Sequence, residues 1–172
     1  NDATRDIGYT DMPEYTAGLN TGFSWKNFDF SMQWTGAWNV DRMLDEFRRP
    51  LGDTNEKGLL LYQYDTTWRS SADTFTAKFP RTSSLHASNN YAGSDLYLIN
   101  ASYLRLKSVE IGYNFNFPFM KKLKMDNCRL YVNGYNLITI TGFKWGDPES
   151  RQSSRPNYPL TRVFNIGLKL GF

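Results

Sequence analysis

The chain has 172 residues, a formal net charge of +3 and 16% aromatic side chains. That charge is too small, and the basic residues form too little of a stripe with stacking rings, for a nucleic-acid-binding face; no run reaches the roughly 18 to 20 apolar residues of a membrane-spanning helix. One cysteine, Cys128, and one histidine, His86, leave no disulfide framework, thiolate zinc site, histidine-based triad or His-rich metal site to be built within the chain.

Large rings interleaved with polar groups are the pattern of a sheet with two unlike faces. The N-terminal Asn1-Asp2-Ala3-Thr4 has no basic-then-apolar leader, so any export signal is expected upstream of this sequence. The first predicted strand has Tyr15, Ala17, Leu19, Thr21, Phe23 and Trp25 on one face and Thr16, Gly18, Asn20, Gly22 and Ser24 on the other. Lys26-Asn27 makes a two-residue turn without the favoured Asn-Gly pair. A second strand follows, with Phe28, Phe30, Met32, Trp34, Gly36 and Trp38 opposing Asp29, Ser31, Gln33, Thr35 and Ala37. A long connection runs from about Asn39 to Ser102; within it Met43, Leu44 and Phe47 are spaced for a short helix over Val40–Arg49, capped near Asp41 and stopped by Pro50.

Tyr103 to Phe115 predicts a third strand whose apolar face switches from Leu104 and Leu106 to Val109, Ile111, Tyr113 and Phe115, so a β-bulge is expected near Lys107-Ser108. A fourth covers Arg129 to Leu137, and its apolar face is not assigned by pattern. The last, Thr161 to Phe172, alternates Phe164, Ile166, Leu168, Leu170 and Phe172 with Asn165, Gly167, Lys169 and Gly171. Twelve residues at roughly 3.3 Å each, tilted by about 40°, span roughly 30 Å, the thickness of a bilayer core.

Connections that are short, very long, medium and long in turn are the rhythm of a membrane barrel with tight turns on one side and large loops on the other. Five strands cannot close a barrel that side chains could fill, which needs about eight. The fold class expected is therefore an all-β antiparallel transmembrane barrel meander, with the remaining strands supplied by sequence outside residues 1–172. A soluble β-sandwich of carbohydrate-binding or adhesin type is the alternative, with the alternating faces packed on a second sheet.

Several runs resemble the late barrel strands of SusC/RagA-type TonB-dependent transporters of Bacteroidota. They are Ile7-Gly8-Tyr9 with Pro13, Tyr15 and Gly18-Leu19-Asn20, then Trp25 to Asp29, Ala101 to Val109 followed by Ile111-Gly112-Tyr113, Arg129 to Val132 with Asn136-Leu137, Gly146 to Glu149, and Tyr158-Pro159 before the terminal Phe172. The order departs from the family between about Leu59 and Pro80, although Trp68 and Pro80-Arg81 are present. The resemblance implies a C-terminal segment of a barrel of about 22 strands in the outer membrane of a Gram-negative cell. It implies an N-terminal plug outside this chain, energy from TonB, a SusD-like surface lipoprotein acting as a lid, glycan or oligopeptide substrates, and no enzymatic activity or cofactor. It also implies that the turns at Lys26-Asn27 and Phe117–Asn127 face the periplasm, and that Phe172 belongs to the assembly signal.

Lipid-facing residues are expected to be Phe28, Phe30, Met32, Trp34, Phe164, Ile166, Leu168 and Leu170, with Trp25, Phe28, Trp34 and Trp38 towards strand ends as an aromatic girdle. Candidates to contact substrate or lid are Tyr62, Tyr64, Trp68, Arg69, Trp145, Asp147, Glu149 and Arg151, because rings stack on sugars or peptide side chains and arginine reads carboxylates. Packing within the loops is the competing role for each. Asp147 and Glu149 flank Pro148 as calcium ligands would, but no further acidic spacing completes a calcium loop, so a structural turn is favoured and no metal is expected. His86 is expected to be solvated or packed in its loop, and Lys121, Lys122 and Lys124 to be solvated or near lipid headgroups.

Overall fold

The computed structural model describes residues 8, 11–48, 60–83, 90–118, 124–150 and 160–172. Seven strands follow in chain order: β1 (Tyr15–Trp25), β2 (Phe28–Trp38), β3 (Asp41–Met43), β4 (Leu98–Asn100), β5 (Tyr103–Phe115), β6 (Asn127–Thr141) and β7 (Val163–Gly171). One short helix, α1 (Leu61–Thr66), lies between β3 and β4. The five long strands form one antiparallel meander, β1-β2-β5-β6-β7, while β3 and β4 pair as a separate small ribbon inside the long connection. Among the described residues the sheet is open at both edges.

The two N-terminal strands begin and end where their alternation does. Their register runs without a break from Trp25 opposite Phe28 to Tyr15 opposite Trp38. The two-residue turn holds Lys26 at φ 55°, a left-handed conformation that a lysine adopts at some cost and that the long strands on either side impose. In β5 the expected bulge is present. Gln33 faces Ser108 and Trp34 faces Leu106, so Lys107 is the extra residue. On the other side β6 passes over Asn136 and Leu137 between Tyr135 and Ile138, with Asn136 at φ 53°. The extra residue shifts the alternation by one, which brings Leu104 and Leu106 onto the same face as Val109, Ile111 and Tyr113.

Register then settles the face that pattern left open. Rows such as Phe23, Phe30, Ile111, Val132 and Ile166 run straight across the sheet, so Leu130 and Val132 of β6 lie on the apolar side. The opposite face of the same rows reads Gly22, Ser31, Glu110, Asn133 and Asn165. Ile166 is 77% exposed, and Phe164, Leu168 and Leu170 are exposed beside it. No described helix or second sheet lies across this apolar face. Trp25, Phe28 and Trp38 stand at strand ends, whereas Trp34 lies inside β2 beside Leu19 and Leu106.

One expectation is corrected. Val40–Arg49 is not a helix; Asp41–Met43 is strand β3, followed by a single 3-10 turn at Asp45–Phe47. Non-local pairing overrides the local helical spacing: Asp41, Arg42 and Met43 pair with Asn100, Ile99 and Leu98, and flanking bonds join Ala101 N–H to the Val40 carbonyl and Leu44 N–H to the Tyr97 carbonyl, both at 2.8 Å. The end of the expected helix, Arg49-Pro50, lies outside the described residues.

Two glycines of β1 separate close packing from open space. A methyl group on Gly22 would sit 2.7 Å from the Phe30 carbonyl oxygen, whereas on Gly18 its nearest neighbour, the Trp34 carbonyl oxygen, is 3.8 Å away. Both lie on the polar face of one strand. Gly22→Ala is expected to destabilise the full-length protein by about 1–3 kcal/mol, as overpacking does, while Gly18→Ala changes little. Urea unfolding midpoints compare them, and equal midpoints would contradict the register.

Candidate functional site

The up-and-down path puts the segments after β2 and after β6 at the same end of the sheet. There the long connections fold on each other around a buried cluster of Val40, Leu44, Phe47, Phe79, Tyr97, Ala101 and Phe143. Phe47 is its hub, with ring centres 5.2 Å from Phe79 and 5.0 Å from Trp145, and the Tyr62 ring lies tilted 4.6 Å from Trp145. Such ring pairs add about 0.5–1.5 kcal/mol each beyond the area they bury. Tyr62 and Trp145 therefore pack within the loops. Tyr97 donates to the Asn90 carbonyl at 2.6 Å, and burial raises its phenol above the ordinary range, which keeps that donor protonated.

Asp147 and Glu149 meet a partner that pattern reasoning missed. The Arg105 side chain, only 2% exposed, donates to Asp147 at 2.7 Å, to Glu149 at 2.6 Å and to the Thr139 hydroxyl at 3.0 Å. Lys107, the bulge residue, adds a contact to Glu149 at 2.9 Å. Asp147 also accepts the Glu149 backbone N–H at 2.9 Å, which closes the turn around Pro148. The signal was present in the sequence: a charge at Arg105 between Leu104 and Leu106 on a strand requires an opposite charge nearby if it is buried. Both carboxylates are thus engaged by cations of the chain itself. Among the described residues no group of three acidic, histidine or cysteine side chains gathers.

Farther from the loops, the polar face of the sheet carries a continuous network. Arg129 donates to both oxygens of Asp29 and, at 2.8 Å, to Glu110. Asn114 bonds Asp29 at 3.2 Å, Asn133 bonds Glu110 at 3.3 Å, and Asn165 bonds Asn133 at 2.9 Å. Gly112 makes this possible, since a methyl group there would lie 2.6 Å from the Asp29 carboxylate. The network ties β2, β5, β6 and β7 on the side away from the apolar rows, where charged groups keep each other paired.

Tyr64, Trp68 and Arg69 come together in a separate open cavity of about 360 Å³, lined also by Thr67, Arg81 and Thr82. The Arg69 guanidinium lies 3.9 Å over the Tyr64 ring and donates to the Tyr64 carbonyl. Behind it, the backbone N–H groups of Ser70 and Arg69 donate to Asp73 at 3.0 and 3.1 Å and hold its carboxyl below the usual carboxylate range. The candidate residues thus divide into a packed core (Tyr62, Trp145), an ion-paired clamp (Asp147, Glu149) and an open pocket (Tyr64, Trp68, Arg69). Arg151, His86, Lys121 and Lys122 lie outside the described residues.

Removing Arg105 leaves the nearly buried Asp147 without its cation and Glu149 with Lys107 alone, so Arg105→Ala is expected to cost about 3–5 kcal/mol of local stability. Hydrogen exchange across Phe143–Ser150 in the full-length protein reads this. Exchange should accelerate strongly in Arg105→Ala and partly in Asp147→Asn; unchanged protection would show that the turn does not depend on the clamp.

No protein-family profile matches the chain. Curated proteins do. The chain is 29% identical to TonB-dependent receptor P3 of Formosa agariphila over 99% of its own length, and 28% identical to TonB-dependent receptor SusC of Bacteroides thetaiotaomicron over 90%. It spans 17% and 15% of those two relatives. Among solved structures, the RagAB peptide importer in its open-open state superimposes with a TM-score of 0.72 at 22% identity, over 95% of this chain and 18% of the matched one; the closed-closed state gives 0.73. The five-stranded meander is thus a portion of a larger barrel wall. Fold, motif order and relatives agree in one likeness: the chain is similar to a β-barrel segment of SusC/RagA-type TonB-dependent receptors.

Proposed function

We propose that the chain forms part of the wall of an outer-membrane importer that is energised through TonB and takes up glycans or oligopeptides beneath a SusD-like surface lipoprotein. The relatives are named as receptors and importers rather than enzymes, which fits a wall segment with no catalytic constellation among the described residues. The plug and the other strands come from sequence outside residues 1–172. In this reading the end bearing the loop cluster faces outward, towards lid and substrate, and the Lys26-Asn27 turn faces the periplasm. Phe172, 81% exposed after the last strand, serves in barrel assembly.

One observation carries the proposal: apolar rows that cross all five strands with no described helix or second sheet packed on them, backed by polar rows that are hydrogen-bonded to each other. Hydrocarbon suits the first face and a wet lumen the second. Phe28, Phe30, Met32, Trp34, Phe164, Ile166, Leu168 and Leu170 are the lipid-facing residues on this reading. A soluble sandwich would require a second sheet over the same face, and the described residues supply none.

Ile166 lies mid-strand in β7, so Ile166→Arg is expected to lower the stability of the full-length receptor refolded into lipid vesicles by about 2–4 kcal/mol. Lys169→Ala, on the opposite face, should change it little. Equal tolerance at the two positions would sink the assignment of faces.

A further inference from the structure

The pocket of Tyr64, Thr67, Trp68, Arg69, Arg81 and Thr82 presents, among the described residues, two guanidinium groups and no carboxylate. Asp73, one of the two acids four residues from Arg69, is engaged by the backbone N–H groups of Arg69 and Ser70. Arg69 is held by its contacts with Tyr64, so its position is fixed before any ligand arrives. The Arg81 guanidinium has no acceptor among the described residues. Trp68 is half-buried and stacks on no other ring among the described residues, which leaves an aromatic surface for a guest. Part of the backbone beside these groups is already used. Trp68 N–H donates to the Phe79 carbonyl at 3.0 Å, and the N–H groups of Lys78 and Phe79 donate to the Thr66 carbonyl at 2.8 and 3.2 Å. Recognition by side chains, through one flat face and one negative charge, suits this pocket better than pairing main chain with main chain along residues 66–68 and 78–79, as an extended peptide would.

We infer that this pocket binds an acidic sugar unit of a glycan, with the sugar ring on Trp68 and its carboxylate or sulfate on Arg69 and Arg81. The inference rests on the reading of this end of the sheet as substrate-facing, and it narrows the cargo to anionic saccharides. Arginine forks match the oxygens of either acid group, and an indole face covers the C–H surface of a pyranose. Arg81 is exposed and its side chain has no partner among the described residues, so its removal is expected to leave the pocket walls in place.

The test is calorimetric titration of the detergent-solubilised full-length receptor with trigalacturonate, its neutral methyl ester, a sulfated carrageenan oligosaccharide and an acidic tripeptide. At least one acidic saccharide should bind about tenfold or more tightly than the neutral ester and the peptide, and more weakly as salt rises. Which of the two binds names the acid group. Arg81→Gln and Trp68→Ala should each weaken that binding by about tenfold or more, with the melting temperature of Arg81→Gln unchanged. Binding of no acidic saccharide, equal binding of the neutral ester, tighter binding of the peptide, or wild-type affinity in Arg81→Gln would each overturn the inference. Uptake of the labelled saccharide by cells separates the two readings. Binding lost in Arg81→Gln but without uptake upholds the pocket and overturns import, whereas uptake unaffected by Arg81→Gln upholds import and overturns the pocket.

Discussion

In a pleated strand neighbouring side chains point to opposite sides, so a single sheet can meet two different solvents at once. Every long strand here respects that constraint. Register carries it from strand to strand, until Phe23, Phe30, Ile111, Val132 and Ile166 stand in one row and Gly22, Ser31, Glu110, Asn133 and Asn165 in the row behind. A slip of one residue would exchange the two faces, which is why the bulge at Lys107 matters. It absorbs the one residue by which Leu104-Arg105-Leu106 is out of step with Val109-Glu110-Ile111, and so keeps both segments correctly sided.

The same bulge links wall to loops. Arg105 and Lys107 lie either side of Leu106, and both reach Glu149. A turn distant in sequence is thereby pinned to the upper wall by charge, while Phe47, Phe79 and Trp145 pin the longer connection by apolar contact. The described parts of both connections are thus held in place by contacts of the chain itself. Most of the buried side chains of the described residues lie in this loop cluster, in keeping with a sheet whose apolar side is turned outward.

Local periodicity made the strands legible. The limits of β1 and β2 follow from where alternation stops, and the change of parity after Leu106 was enough to place the bulge. What remained hidden depends on partners far away in the chain. Met43, Leu44 and Phe47 have helical spacing, but β4, more than fifty residues later, draws Asp41–Met43 into a ribbon. The face of β6 was ambiguous because Tyr131 and Tyr135 are as large as Leu130 and Val132; only its pairing with β5 and β7 decides it. Tyr62 and Trp145 read as binding residues for the same reason, since an aromatic ring in a loop does not reveal whether another ring covers it. The Arg105 clamp needed the fold to bring together positions about forty residues apart.

Whether the apolar rows touch hydrocarbon decides the rest, and it can be read residue by residue. With the full-length receptor refolded in lipid vesicles, single nitroxide labels placed along β7 from Phe164 to Leu170 would be tested for collision with oxygen, which concentrates in lipid, and with a water-soluble nickel complex. A lipid-facing wall predicts oxygen contact at Phe164, Ile166, Leu168 and Leu170, alternating with nickel contact at Asn165 and Lys169. Apolar positions shielded from both reagents, as under a second protein layer, or a strand without alternation, would contradict it.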